Sequence, residues 1–229
     1  ERVLEQSPQH YEGLQCMGLT LHRMHFPERA LPYFVRARAI DGTDAELLNN
    51  LAIALQDLGR LDEALASYDA AIAQKPDFTL AIWHRSRAYL LRHEFARGWP
   101  DYELRLVSED QPRRPTAFAR WDGGALAGRK LLVYAEQGLG DEIMFASCLP
   151  DAMAASGHCV VECSPKLETL FQRSFPAATV YAARPDKAVP ESVVGAGIDV
   201  QCPIGSLPLN FRRARAQFPV HHGYLRADP

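Results

Sequence analysis

The sequence predicts an α-helical repeat array joined to a separate α/β segment. Three observations predict it: residues 11–78 contain a 34-residue internal repeat, periodicity is lost between residues 108 and 129, and short β-rich runs alternate with helical stretches from Lys130 onward. The 229 residues suffice for about two domains.

The first element, ERVLEQSP, reads as the tail of a helix ending at Pro8, so the array starts mid-repeat within residues 1–10. Residues 11–44 and 45–78 then align without a gap. Leu14, Met17, Gly18 and Leu21 fall on Leu48, Leu51, Ala52 and Leu55, while Ala30, Phe34 and Ala37 fall on Ala64, Tyr68 and Ala71. Small residues at these places let paired helices approach closely, and the aromatic fills the space between repeats. Gly59 sits between the two helices, where a left-handed residue ends the first, and Pro76 closes the repeat. A third, modified unit occupies 79–107. It keeps Ile82, Ser86, Tyr89, Gly98 and Tyr102, but it carries Arg85 at an apolar position and Pro100 early in its second helix.

This pattern resembles the tetratricopeptide repeat (TPR) family, whose unit is a helix–turn–helix with large–large–small and small–aromatic–small signatures. The resemblance implies a groove that binds a protein or peptide, with Asn50 and His84 as groove residues. In TPR-linked glycosyltransferases an asparagine ladder can line the groove at the position of Asn50. Here the equivalent positions hold Cys16 and His84, so no ladder forms, and Asn50 also suits an ordinary repeat.

Residues 108–129 read as a linker or docking segment, with Phe118 and Trp121 as anchors and Arg113 and Arg114 solvated. The α/β part, 130–229, opens with strand Lys130–Glu136 and a Gln137-Gly138-Leu139-Gly140-Asp141 turn. A helix from Glu142 to about Ser156 follows, interrupted by Pro150 and ended by Gly157. Strand Cys159–Cys163 leads through Ser164-Pro165 into helix Lys166–Phe175. Further strands are expected near Thr179–Ala182 and Ile198–Cys202, giving a parallel, doubly wound sheet.

Function could reside at the glycine turn, where backbone can approach a ligand and helix N–H groups face an anion. A nucleotide or NAD site is one reading, with Glu162 near the ribose-binding position. The third small residue of that pattern, however, is replaced by Ile143. AEQGLGDEIMFASCLP, SPKLETLF, CPIGSLP and GYLRADP together resemble TPR-linked proteins with a GT-B glycosyltransferase part related to the heptosyltransferases, a likeness covering about residues 98–229. It implies a Rossmann-like, N-terminal, acceptor-side domain. Asp141, in the Gly140-Asp141 pair before Leu149-Pro150, would be the catalytic base taking the acceptor hydroxyl proton. Asp141 equally suits a helix cap. Gln137, Gly138, Gly140 and Ser206 would contact substrate, Ser206 because it follows a strand end. GT-B enzymes hold their nucleotide-sugar donor mainly on a second domain that residues 1–229 do not include. The chain is therefore expected to hold no cofactor and to be inactive alone. The alternative is a non-catalytic TPR interaction scaffold.

Composition narrows the remaining classes. A net charge of −3 argues against a general nucleic-acid binder, and no apolar run approaches the ~18 residues of a membrane span, which suggests the cytoplasm. Residues 1–110 carry 12 Lys/Arg against 17 Asp/Glu, and the remainder 13 against 11, as expected of two modules. The five cysteines include no CxxC pair and read as buried small hydrophobes. His22 and His25, three apart on a helix, have metal-ligand spacing but no third ligand, and His221-His222 have no acidic or Cys partner, so no metal site is expected. Arg212, Arg213 and Arg215 read as a solvated loop face, with phosphate binding as the alternative.

Overall fold

A computed structural model describes residues 2–107, 118–184, 189–195, 197–220 and 223–228. The chain divides into two compact units, Glu1–Gln111 and Pro112–Pro229. Arg113, Arg114, His221 and His222 lie outside the described residues.

The first unit is helical: α1 Arg2–Gln6, α2 Tyr11–Arg23, α3 Pro27–Ile40, α4 Ala45–Asp57, α5 Leu61–Gln74, α6 Thr79–Leu91 and α7 Phe95–Tyr102, with a 3₁₀ turn at Glu103–Val107. Successive helices pack as α2/α3, α4/α5 and α6/α7 pairs, with α3 on α4 and α5 on α6. Phe34 and Tyr68 are buried to 1% and 0% exposure, and both belong to the main core with Leu14, Leu51 and Tyr89. Gly18 is small for a steric reason: a Cβ there would lie 2.5 Å from the Phe34 ring. Gly98 likewise lies where a Cβ would meet Leu90 at 2.7 Å.

The first helix of each pair ends the same way. His25, Gly59 and His93, each 34 residues from the next, adopt φ of 63°, 72° and 61°. The following amide closes on a carbonyl five residues back: Phe26 on Leu21, Arg60 on Leu55 and Glu94 on Tyr89. This corrects the pairing of His22 with His25 on one helix. His25 lies beyond the end of α2, and His22 instead bonds Asp57 at 2.8 Å. Pro100 is also later than expected, sixth of the eight residues of α7, and the helix gives way to 3₁₀ geometry three residues on, at Glu103.

The second unit contains a five-stranded parallel sheet in the order β1-β5-β2-β3-β4. Its strands are β1 Ala119–Arg120, β2 Lys130–Tyr134, β3 His158–Cys163, β4 Thr179–Ala182 and β5 Val200–Pro203. Around it lie α8 Leu139–Phe145, α9 Leu149–Ala155, α10 Glu168–Ser174, α11 Glu191–Val194 and α12 Leu207–Phe211. Leu131, Leu132, Val133 and Val161 are fully buried, as strands covered on both faces require.

Several boundaries differ from the sequence reading. The end of the supposed linker belongs to this unit: Ala119–Arg120 pairs with β5, and Trp121, 7% exposed, packs on Phe211 with ring centroids 5.7 Å apart. The helix expected from Glu142 starts at Leu139, and a 3₁₀ turn at Ala146–Cys148 splits it before Pro150 starts α9. The segment after Ser164 begins as a 3₁₀ turn, Pro165–Leu167, before α10. Arg212 is not solvated. It is 2% exposed and ion-paired with Asp151 at 2.6 Å, whereas Arg213 and Arg215 are exposed. Four cysteines are buried as expected, and burial pushes the Cys148 thiol up to about 11, but Cys16 is exposed.

Candidate functional site

In the repeat unit, α2, α4 and α6 form one layer, cross-linked by polar side chains. Tyr11 and Gln15 both donate to Asp44 Oδ2 at 2.7 Å, His22 bonds Asp57, and His84 Nδ1 lies 3.0 Å from Asn49 Oδ1. Asp44 also caps α4, accepting from the amides of Glu46 and Leu47. Burial works against the Asp44 carboxylate, but the bonds from Tyr11 and Gln15 and the two amides outweigh it and hold its pKa low. Burial depresses His84 to about 4, with Arg87 adding to the effect.

Of the two groove residues expected from sequence, Asn50 is partly exposed on α4. His84 is also partly exposed, but it is engaged by Asn49 and by the rings of Trp83 and Tyr68, 5.0 and 6.2 Å away. Sequence reasoning missed the α6 stripe Leu80, Trp83, Arg87 and Leu91, spaced to share one side of the helix. Leu80 and Leu91 are 49% and 58% exposed. Their signal was legible as apolar residues at helical spacing outside the repeat's core positions.

In the α/β unit the chain builds β2, β3 and β4 outward, then returns to place β5 on the other side of β2. In open parallel sheets, the carboxyl ends beside such a reversal border a crevice. The segments leaving β2 and β5 carry the residues chosen from sequence: Gln137, Gly138, Gly140 and Asp141 on one, Ser206 on the other. They are tied together where Gly205 N–H donates to Glu136 Oε1 at 3.1 Å.

The local geometry revises their roles. Gly138 has φ −77° and ψ 169°, and Gly140 lies inside α8, so the segment is a helix entrance and needs no left-handed residue. A Cβ on Gly140 would meet nothing within 4 Å. Asp141 Oδ2 accepts from Gly138 N–H at 3.2 Å, a helix-capping contact. Ser206 is 4% exposed beneath Arg120, whose Nη2 donates to its Oγ at 3.3 Å. Glu136 and Arg120 were missed, although Glu136 sits inside the AEQGLGDEIMFASCLP motif and Arg120 is next to the Trp121 anchor.

The acid considered for a ribose, Glu162, is 2% exposed and accepts from Tyr181 Oη at 2.9 Å, so it braces two strands. Glu142, fully buried, accepts from the Ser164 amide at 2.8 Å and from its hydroxyl. Among the described residues no group of three His, Cys, Asp or Glu could hold a metal ion, and no helix is long and apolar enough to cross a membrane.

Residues 45–78 match the tetratricopeptide repeat model, and the repeated helix pairs of the first unit form a tetratricopeptide-like solenoid. Over 196 residues the chain is 32% identical to Protein FlbA of Caulobacter vibrioides, an alignment taking in 79% of this chain and 33% of FlbA. The chain thus spans about one third of that relative's length. A crystal structure of MamA matches with a TM-score of 0.45 at 22% identity, over 48% of this chain and 64% of that one. A second MamA structure matches with a TM-score of 0.44 at 23% identity, over 46% and 57%.

Proposed function

We propose that the chain is a protein-interaction scaffold whose tetratricopeptide unit holds a partner polypeptide on the face made by α2, α4 and α6. The α6 stripe carries this reading. Leu80 and Leu91 leave large apolar surface in water on the side that also presents Trp83 and Arg87. A helix that met only solvent would gain nothing from that arrangement. Peptides selected by display on the purified chain should bind the double variant Leu80→Ser, Leu91→Ser at least about tenfold more weakly. Both side chains are exposed, so helical content should be unchanged. Equal affinity for the variant would defeat the reading.

A second reading is supported by the switch point of the sheet. The strand order β4-β3-β2-β5 reverses at β2, and the glycine segment and Ser206 follow the two strand ends beside that reversal, where open parallel sheets usually keep ligands. On this reading the α/β unit is the acceptor side of a glycosyltransferase that takes a sugar from a nucleotide donor held elsewhere, with Asp141 as base. The test needs a protein that also contains a donor half. There Asp141→Asn should keep folding, because the amide oxygen can still accept from the Gly138 N–H, while turnover falls by ~10²–10⁴. If Asp141 only holds the Gly138 amide at the start of α8, the Asn variant stays active and Asp141→Ala costs about 0.5–1.5 kcal/mol of stability.

A further inference from the structure

The opposite side of the repeat unit carries openings that recur with the repeat. One, of about 390 Å³, lies between α3 and α5, with Leu51 of α4 in its floor and Val35 and Ser67 in its walls. Another, of about 330 Å³, lies between α1 and α3, with Met17 in its floor and Leu4 and Tyr33 in its walls. They are the same place one repeat apart. Adding 34 to Leu4, Pro8, Met17, Tyr33 and Arg36 gives Arg38, Gly42, Leu51, Ser67 and Ala70, all of which line the larger opening.

One repeat further on, the equivalents of Val35, Leu51 and Ser67 are Asp69, Arg85 and Asp101. These three are joined: Arg85 Nη1 pairs with Asp69 and Nη2 with Asp101, each at 2.8 Å. The arginine at an otherwise apolar position thus stands at the equivalent place in the third repeat, and two carboxylates balance its charge. The first two places keep short or apolar side chains and stay open.

We propose that the two open pockets form a docking track for one extended segment of a partner protein, with an apolar side chain in each pocket and an acidic residue between them. The two pockets flank α3, so they lie about one helix diameter apart, roughly 10–12 Å. A polyproline II segment advances about 9 Å in three residues and returns to the same face, so its anchors fall at positions i and i+3. The acidic residue follows from charge. Helix α3, the wall between the pockets, places Arg36 at one rim and Arg38 at the other. Arg36 donates to the Pro8 carbonyl, and Arg60 donates two bonds to Glu63, each 2.7 Å. Arg38 is exposed and makes no ion pair or hydrogen bond among the described residues; its charge acts only through space on Glu63, whose oxygens are taken up by Arg60, so Arg38 is the cation left to meet a ligand carboxylate. This track is independent of the α2/α4/α6 face, because on α4 Leu51 points away from Asn49, Ile53 and Asp57.

The probe is a fluorescently labelled peptide containing Leu-Glu-Pro-Leu, titrated with the purified full chain by anisotropy, beside a Leu-Lys-Pro-Leu control. Saturable binding of the Glu peptide is expected. Val35→Asp should weaken it at least about tenfold, and Arg38→Glu should invert the preference to the Lys peptide. Val35 is 43% exposed and its counterpart one repeat on is already Asp69, so the fold should tolerate the change, as circular dichroism will check. Leu80→Ser with Leu91→Ser should leave binding unchanged. The proposal is overturned by no saturation up to about 1 mM, by equal affinity for the two peptides, or by loss of binding in the Leu80/Leu91 variant alone. Self-association that Val35→Asp abolishes would also overturn it, by making a second copy the occupant.

Discussion

Lowering the pH from 8 to 5 should cost the repeat unit about 2 kcal/mol through His84 alone. The residue is largely buried against Tyr68 and Trp83, and Nδ1 faces the carbonyl oxygen of Asn49 at 3.0 Å, which fits a neutral ring donating there. Burial, helped by the nearby Arg87 charge, lowers its pKa from 6.5 to about 4. Between those values the unfolded chain takes up a proton that the folded chain refuses, so unfolding becomes easier as pH falls. The loss begins near pH 6.5, reaches roughly 2 kcal/mol at pH 5, and levels off below about 4, where both states are protonated. Carboxylates titrate in the same range, so the measurement is a difference. Urea melts followed by the helix signal are run from pH 8 to pH 4.5 on the parent and on His84→Gln, whose amide can still donate to Asn49. The variant should lack the His84 component of the slope. Two curves parallel within about 0.5 kcal/mol would refute the claim that His84 is held neutral by the fold.

Other substitutions test the packing. Tyr68→Ala removes a ring with 0% exposure and its 3.2 Å bond to Gln56, and should cost about 3–5 kcal/mol in chemical denaturation. A loss under about 0.5 kcal/mol would contradict the repeat register. Gly18→Ala should cost roughly 1–3 kcal/mol, because the new methyl would sit 2.5 Å from Phe34 until the ring moves. An unchanged melting temperature would show that the ring has room to retreat. His93→Gly should stabilise the third repeat by about 0.5–1 kcal/mol, since it relieves a left-handed backbone at φ 61° at the place where Gly59 serves the second repeat. A destabilised variant would mean that the His93 ring, stacked 5.7 Å from Phe95, contributes more than the backbone strain removes.

The repeat unit was legible because its information is local and recurs. Gly18, Phe34 and Ala37 announce close helix contacts by size alone, and their counterparts 34 residues on repeat the statement. Gly59 marked the left-handed helix end for the same reason. His25 and His93 did not, since an L-residue in that conformation is specified by the surrounding hydrogen bonds and leaves no trace in its own side chain. In the second unit, strand existence was readable from apolar runs, but helix limits were not. Gly140 reads as a turn residue, yet it sits in the first turn of α8 because Asp141 caps the amide of Gly138.

What the sequence by itself determined is the helical repeat, its register and the alternation of strands with helices. All of these depend on residue size and spacing along a few turns of chain. What only the tertiary structure decided depends on which distant residues meet. It set β5 beside β2 and so brought Glu136 against Gly205, and it buried Arg212 against Asp151. It also turned Arg85 from an anomaly on an apolar position into the group that joins Asp69 of α5 to Asp101 of α7. The reason is physical: a buried charge is tolerated only where partners from other elements surround it, and neither Asp69 nor Asp101 can be assigned to Arg85 until the helices are packed.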